Sequence, residues 1–308
     1  MASTPTVAVA PFVVDGLLDA ISTGGGRPGD PSDADALVWT NPGDPKALAE
    51  LLRSASVRWV QLPFAGIESF FEAGVIDPSL TWTCTKGIYG PACAEHALAL
   101  MFAAARRINV HARARTWVNP GLGSPERMLK GSTVLVFGTG GIGSALVPLL
   151  RPLGVRIVAI NRSGRPLEGA ERTVTTEHLG DVIGEADFVV VTAALTDETR
   201  GLFDARMLAL MRDGACLVNV ARGGLVRTHD LVAEVAAGRI GAALDVTDPE
   251  PLPDDHPLWT FDNVIVTPHI ANTWDMALPE LCDMVRRNVA HFAAGEPLEG
   301  LVDPELGY

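Results

Sequence analysis

The chain has 308 residues, which is long enough for two domains of ordinary size. Hydrophobic residues make up 47% and charged residues 20%, a balance typical of a globular protein and not of a disordered one. The formal net charge of −13 argues against a nucleic-acid partner, because binding to a phosphate backbone needs a basic face.

Signals for targeting, membrane insertion and metal binding are absent from the sequence pattern. The first residues carry no basic region before the apolar run Val7–Val14, so we expect no signal peptide. No apolar stretch approaches the ~20 residues needed to span a bilayer, so we expect no membrane contact. The cysteines are scattered without metal-ligand spacing, which indicates free thiols in a reducing cytoplasm and no bound metal: Cys84, Cys93, Cys216 and Cys282.

The first third of the chain alternates short apolar runs with helix-like segments. Strands are predicted at Thr6–Val13, Ala36–Trp39 and Val57–Leu62, with a helix at Pro45–Ser54. Apolar positions at helical spacing then predict a long helix over Ala92–Ala114. This part of the chain is therefore a βα series of its own.

A turn-rich connector is predicted at residues 119–125, and a second βα series follows it. Its strands are predicted at Thr133–Phe137, Arg156–Ile160, Phe188–Thr192, Ala215–Val220, Gly241–Val246 and Asn263–Thr267. A last helix is predicted at Pro279–Ala294. The pattern predicts an α/β fold with two Rossmann-like or flavodoxin-like domains. We expect a dinucleotide-binding domain over residues 98–275, inserted into a substrate domain formed by residues 1–97 and 276–308.

The motif Gly138-Thr139-Gly140-Gly141-Ile142-Gly143 lies between a predicted strand and a predicted helix. The first glycine permits a tight turn, the second lets the backbone approach a pyrophosphate, and the third lets helix and strand pack. The N-terminus of the helix then offers N–H groups to the phosphates. A plain tight turn is the alternative, but this context favours a dinucleotide site at Gly138, Gly140, Gly141, Ile142 and Gly143.

Three charged side chains follow neighbouring strands of the second series. Arg222 comes after Leu217–Ala221, Glu250 comes beyond the Ala242–Val246 run, and His269 ends the run from Val264. Ligands of open parallel sheets bind at the carboxyl ends of the strands. Taken singly, each residue is better explained as a surface arginine, a solvated loop acid or a turn histidine after proline. Together they indicate a site around a nicotinamide ring.

Several motifs in chain order resemble the D-isomer-specific 2-hydroxyacid dehydrogenase family, and its glyoxylate and hydroxypyruvate reductases in particular. They are Ala94-Glu95-His96, Gly138–Gly143, Asn219–Gly224, Ala243–Leu252 and Thr267–Ala271. The resemblance implies an oxidoreductase that transfers hydride between NAD(P)H and a small 2-oxo acid or D-2-hydroxy acid. It also implies a homodimer.

The resemblance assigns a catalytic role to each of the three charged residues. Arg222 would bind the substrate carboxylate and polarise the carbonyl with its planar donors. His269 would give a proton to the developing alkoxide. Glu250 would orient the imidazole and favour its charged form.

The same resemblance implies further binding residues. Asp245 would meet the nicotinamide carboxamide, and the backbone of Ala65 and Gly66 would cap the substrate carboxylate. The other expected cofactor contacts are Thr199, Val220, Ala221 and Ala271. The chain departs from the family pattern at Ala193–Thr196, where the family often has Pro-Leu-Thr, and at Gly141, where it usually has a polar or basic residue.

The second strand of the nucleotide-binding series ends in Asn161-Arg162-Ser163. An acidic residue near this position normally binds the ribose 2′-hydroxyl of NAD, whereas a nearby arginine accommodates the 2′-phosphate of NADP. Because no carboxylate occupies the position, we expect NADP(H) to be favoured over NAD(H). The alternative is that Arg162 is a solvated turn residue and NAD binds.

A nucleotide-sensing regulator with the same fold is the alternative to an enzyme, since fold by itself does not define function. The complete set of Arg222, Glu250 and His269 favours the enzyme, because a sensor needs no proton donor.

Overall fold

The computed structural model describes residues 4–117 and 125–304. The chain divides into two compact units, one comprising Met1–Tyr89 with Thr273–Tyr308 and the other comprising Gly90–Asn272. We call them unit 1 and unit 2. The predicted connector at residues 119–125 lies outside the described residues, except for Pro125.

The helices and strands follow one another in βα order. The strands are β1 (Thr6–Ala10), β2 (Arg27–Pro28), β3 (Ala36–Trp39), β4 (Trp59–Gln61), β5 (Thr81–Thr83), β6 (Thr133–Phe137), β7 (Arg156–Asn161), β8 (Arg172–Thr175), β9 (Phe188–Val191), β10 (Cys216–Asn219), β11 (Gly241–Leu244) and β12 (Val264–Val266). The helices are α1 (Asp15–Thr23), α2 (Pro45–Leu52), α3 (Glu68–Glu72), α4 (Gly90–Ala105), α5 (Ile108–Arg113), α6 (Gly141–Leu150), α7 (Leu179–Val182), α8 (Ala205–Leu210), α9 (Thr228–Ala236) and α10 (Trp274–Ala294).

Each unit is built on one parallel sheet. The strand order is β2-β1-β3-β4-β5 in unit 1, which is the flavodoxin-like order. In unit 2 the order is β12-β11-β10-β9-β6-β7-β8, which reverses at β6 as in a Rossmann sheet. The predicted α/β class with two parallel-sheet units is confirmed, and the order places the carboxyl ends of β6 and β9 at the topological switch point of unit 2.

Apolar side chains cover both faces of each sheet. In unit 1, Leu37 and Val60 lie on one face, and Val38 lies on the other face against α10. In unit 2, Leu135 lies on one face, and Val136 lies on the other with α4 and α6. Because both faces are buried, the loops at the strand ends are the places left for ligands.

Several elements differ from the sequence-based prediction. The single helix predicted over Ala92–Ala114 is two helices, because Arg107 adopts a left-handed conformation with φ of 48° and ends the run. The last helix begins at Trp274 and includes Pro279 in its second turn. Strands β2, β5 and β8 were not predicted, since the first two have only two or three residues and the third is a largely polar edge strand.

The unit boundaries also differ from the expected breaks after residues 97 and 275. Unit 2 begins at Gly90 because all of α4 packs within it, against α6 and strands β10 to β12. The contact is close at the start of α4, where a Cβ added to Gly90 would lie 2.4 Å from the carbonyl oxygen of Gly141. At the other end, Thr273 and α10 belong to unit 1.

Candidate active site

The glycine motif forms a tight turn between β6 and α6. Gly138 has φ of 104°, and a Cβ there would lie 2.5 Å from the backbone nitrogen of Ala193. A Cβ on Gly143 would lie 2.1 Å from the carbonyl oxygen of Gly138. A Cβ on Gly140 would meet nothing within 4 Å. Two of the glycines are therefore needed for packing, whereas Gly140 leaves open space beside the N-terminus of α6, which fits a pyrophosphate.

The turn after β7 is held by side-chain hydrogen bonds. The Asn161 amide donates to Thr139 Oγ1 at 3.1 Å and to the carbonyl oxygen of Arg165 at 2.8 Å. Ser163 Oγ donates to Asn161 Oδ1 at 3.4 Å. Asn161 thus ties this turn to the glycine motif. Arg165, which the sequence analysis did not single out, is a second exposed arginine of this turn beside Arg162.

Thr199 restrains the loop that follows β9, where the family's Pro-Leu-Thr is missing. Its hydroxyl donates to the carbonyl oxygen of Ala194 at 2.8 Å and accepts from the backbone N–H of Thr196 at 2.8 Å. Val220 and Ala221 lie directly after β10 and are buried. The expected cofactor contacts in these two loops therefore lie on hydrogen-bonded or buried segments at the carboxyl ends of β9 and β10.

His269 and Glu250 form a direct pair. His269 Nδ1 lies 2.6 Å from Glu250 Oε1, and both side chains are about half exposed. The hydrogen bond that His269 donates to Glu250 raises the pKa of His269, and the same bond lowers the pKa of Glu250. Because Nδ1 is occupied by Glu250, Nε2 is the ring atom that can exchange a proton with a substrate.

Arg222 lies close enough to this pair for its positive charge to act on both members. Its charge adds to the lowering of the Glu250 pKa, and it reduces, without cancelling, the rise in the His269 pKa. The residue is half-buried after β10, and its Nη1 donates to the carbonyl oxygen of Ala221 at 2.7 Å. Its own carbonyl oxygen accepts from the amide of Asn219 at 2.9 Å. The structure thus brings together the cation, the acid and the imidazole that the sequence analysis placed at three separate strand ends.

Asp245 anchors the turn that carries His269. Its side chain has no exposed surface, and its two oxygens accept from Thr267 Oγ1 at 2.6 Å and from the backbone N–H groups of Ile270 and Ala271 at 3.0 Å each. Burial raises the pKa of Asp245, but the bonds from His96, Thr267 and the turn outweigh it and lower the pKa to about 2. The carboxylate therefore stays ionised inside unit 2.

His96, on α4, is a site residue to which the sequence analysis gave no role beyond its place in a motif. Its Nε2 lies 3.0 Å from Thr267 Oγ1 and 3.3 Å from Asp245 Oδ1. The only sequence signal was the Ala94-Glu95-His96 motif, which does not say what the histidine touches.

Ala65 and Gly66 form a turn of unit 1 between β4 and α3. Ala65 is exposed and Gly66 is half-buried. The neighbouring Phe64 packs its ring against Tyr89 and Trp274, with ring centroids about 6 Å apart in both pairs. The role of Ala65 and Gly66 toward a substrate carboxylate stays a prediction.

Two structural features are absent from the described residues. Within 4–117 and 125–304, no helix combines the length and the apolar character needed to cross a membrane. In the same ranges, no three or more histidine, cysteine or acidic side chains are grouped so that they could hold a metal ion.

Comparison with known proteins gives consistent matches. Residues 98–271 match the family model of the D-isomer specific 2-hydroxyacid dehydrogenase, NAD binding domain. An uncharacterized protein in the proB 3′ region of Corynebacterium melassecola is 39% identical over 297 residues, covering 94% of this chain and 95% of that protein. A glyoxylate reductase of Aeropyrum pernix is 35% identical over 233 residues, covering 73% and 70%.

A solved structure also matches over nearly its whole length. The D-isomer specific 2-hydroxyacid dehydrogenase of Xanthobacter autotrophicus, crystallised with NADPH and MES, has a TM-score of 0.84 at 27% identity, and the match covers 99% of this chain and 100% of that one. The chain belongs to the D-isomer specific 2-hydroxyacid dehydrogenase family. It is an NAD(P)-dependent oxidoreductase that transfers hydride between the cofactor and a small 2-oxo or 2-hydroxy acid. The alternative of a nucleotide-sensing regulator has no support in these relatives.

Proposed function

We propose that Arg222, Glu250 and His269 are the catalytic residues of this enzyme. The observation that carries the assignment is the 2.6 Å contact between His269 Nδ1 and Glu250 Oε1, with Arg222 beside the pair. The contact raises the pKa of His269 and so keeps the imidazole protonated at a higher pH than an isolated histidine. A charged imidazole with a free Nε2 is suited to general acid catalysis.

In the proposed reaction each of the three residues has its own role. The nicotinamide cofactor supplies the hydride when it is bound. Arg222 binds the substrate carboxylate and polarises the carbonyl with its planar donors. His269 gives a proton from Nε2 to the carbonyl oxygen as that oxygen gains negative charge, and Glu250 stabilises the imidazolium beforehand. In the oxidative direction, His269 removes the same proton.

The preferred cofactor in this proposal is NADP(H). The turn Asn161–Arg165 contains two arginines and no carboxylate, so a 2′-phosphate meets positive charge there and no repulsion. The similar Xanthobacter protein was crystallised with NADPH. The phosphate contacts expected from Gly138–Gly143 are common to both cofactors, and Thr199, Val220, Ala221, Asp245 and Ala271 remain the proposed contacts to the rest of the cofactor.

Glyoxylate and hydroxypyruvate are the proposed substrates. The Aeropyrum relative carries the name glyoxylate reductase, and a small 2-oxo acid is the substrate class of the family. The backbone N–H groups of Ala65 and Gly66 are the proposed second contact to the substrate carboxylate, because they lie in a turn at the carboxyl end of β4.

We further propose a homodimer in the cytoplasm. Phe102 and Ile108 of the α4–α5 region of unit 2 are 42% and 52% exposed, and Met128, further along the chain, is 69% exposed. These apolar side chains support a surface that a partner covers. The four cysteines are free thiols, as in proteins of a reducing compartment.

A cofactor and substrate panel tests the proposal. NADPH or NADH oxidation is followed by absorbance with glyoxylate, hydroxypyruvate and pyruvate, for the wild type and for His269→Asn. We expect the wild type to be fastest with NADPH and one of the first two acids. His269→Asn should lose ~10²–10⁴-fold in kcat while still binding NADPH, because an amide has no comparably acidic proton. Near wild-type turnover of the variant would exclude His269 as the acid.

A further inference from the structure

The His96 contacts define which atom carries which proton. Asp245 is ionised and can only accept, so the Thr267 hydroxyl, 2.6 Å away, donates its single proton to Asp245 Oδ1. The Thr267 oxygen can then only accept from His96 Nε2, which lies 3.0 Å away. His96 Nε2 therefore carries a proton, and it also points at Asp245 Oδ1 at 3.3 Å.

Asp245 also accepts hydrogen bonds from the turn that carries His269, the proposed proton donor. Its backbone oxygen accepts from the backbone N–H of His269 at 2.8 Å, and its carboxylate accepts from those of Ile270 and Ala271. His269 has φ of 51°, in the left-handed region that side chains rarely adopt, so its backbone persists only where the surroundings hold it. Asp245 holds this turn through three bonds, and the carbonyl oxygen of Thr267 also accepts from the N–H of His269 at 3.0 Å.

We infer that His96 is a positioning residue for the proton donor His269, acting through Thr267 and Asp245. The inference rests on the proposed role of His269. It gives α4 a function in catalysis, because α4 carries His96 and packs against β11 and β12, the strands that lead into Asp245 and Thr267.

The charges around the two histidines determine the direction of the expected pH effect. Glu250 and Asp245 raise the pKa of His269, and Arg222 lowers it. Asp245 in turn faces the donors His96 and Thr267. Cys93, also on α4, stays a thiol because burial raises its pKa to about 11. Removing the His96 donor leaves the Asp245 charge less compensated, which raises the pKa of His269 further.

The test compares His96→Phe, which removes the donor, with His96→Gln, which offers an amide N–H near the Nε2 position. Glyoxylate and hydroxypyruvate reduction is measured with NADPH across pH, and NADPH affinity by fluorescence. For His96→Phe we expect kcat to fall on the order of tenfold to a hundredfold, since small misplacements of a catalytic group have effects of that size. The alkaline limb of kcat/KM should move to higher pH, and NADPH affinity should change less than kcat. His96→Gln should recover most of kcat and the wild-type pH midpoint.

A double-mutant cycle with Thr267→Val tests whether the effect runs through the shared carboxylate. If both residues act on Asp245, the double variant should lose no more kcat than the worse single variant. His229→Gln is the matched control, because that histidine is 98% exposed, and its kinetics should equal those of the wild type. If thermal unfolding shows that His96→Phe does not fold, the same kinetic measurements are made on Thr267→Val and His96→Gln.

Three results would overturn the inference. They are wild-type kcat and pH profile in His96→Phe, equal losses in His96→Gln and His96→Phe, or simple addition in the double variant. The proposed function fails separately, if His269→Asn stays active. An inactive His269→Asn with an unaffected His96→Phe would reject the positioning role alone.

Discussion

Two acidic residues hold His269 and the turn that carries it, and they act on different parts of that turn. Glu250 bonds to the ring at Nδ1 and sets the proton affinity of the imidazole. Asp245 bonds to the backbone of His269 and to the two residues that follow it. Substitution of Glu250 should therefore change the pH dependence of the reaction more than the placement of the ring.

Glu250→Gln should move the alkaline limb of kcat/KM for reduction to lower pH. In the proposed mechanism reduction needs protonated His269, so the rate falls as pH rises through the pKa of His269. Glu250 raises that pKa, and the neutral amide does so less. The pH profiles of wild type and variant measure the shift, and the exposed Glu171→Gln is the control. A limb that stays in place would show that another group sets the pKa.

Among the elements, the β6–α6 turn has one glycine needed for packing, Gly143, and one beside open space, Gly140. Substituting each in turn distinguishes the effect of packing from the effect of ligand contact. Gly143→Ala places a methyl group 2.1 Å from the Gly138 carbonyl oxygen, so the backbone must move. Such overpacking typically costs about 1–3 kcal/mol, and both the thermal midpoint and cofactor binding should fall.

Gly140→Ala is the matched variant, since its methyl group meets open space and its φ of −76° suits alanine. We expect its thermal midpoint to equal that of the wild type while NADPH affinity falls. Thermal unfolding and fluorescence titration measure the two quantities. Equal destabilisation of both variants would contradict the assignment of Gly140 to the phosphate side of the turn.

The turn after β7 should decide between the two cofactors. Arg162→Ala should lower NADPH affinity ~10–100-fold, because a charge-assisted hydrogen bond contributes about 1.5–3 kcal/mol, and it should leave NADH affinity unchanged. Asn161→Asp is a less selective test, since the Asn161 amide donates to Thr139 and to the Arg165 carbonyl and a carboxylate cannot.

Titration of both cofactors by fluorescence measures the ratio, with the exposed Arg53→Ala of unit 1 as control. A wild type that binds NADH more tightly, or a ratio that Arg162→Ala does not change, would refute the NADP(H) preference.

For the whole molecule, the expected assembly is a dimer. Light scattering after size exclusion should give the mass of two chains for the wild type. Ile108→Asp should shift the protein toward the monomer, because a buried unpaired carboxylate is costly in an interface. Leu210→Asp is the control, because Leu210 is about as exposed as Ile108 and lies on α8, outside the α4–α5 region. A monomeric wild type at micromolar concentration would refute the homodimer.

Local patterns in the sequence determined the fold class, the glycine turn and the three strand ends that carry Arg222, Glu250 and His269. Strand and helix periodicity, and the need for glycine where the chain turns tightly, depend on neighbouring residues and are visible in one dimension. The parallel order of the strands then follows from the βα alternation.

Only the tertiary structure decided what holds these residues in place. The bond between His96 and Thr267 joins residues from different elements far apart in the chain, and the burial of Asp245 depends on the elements around it. The left-handed turns at Arg107 and His269 likewise belong to non-glycine residues that no local preference marks. Contacts between distant segments impose these features, so the pattern of a single chain points to the proposed reacting groups but not to the residues proposed to position them.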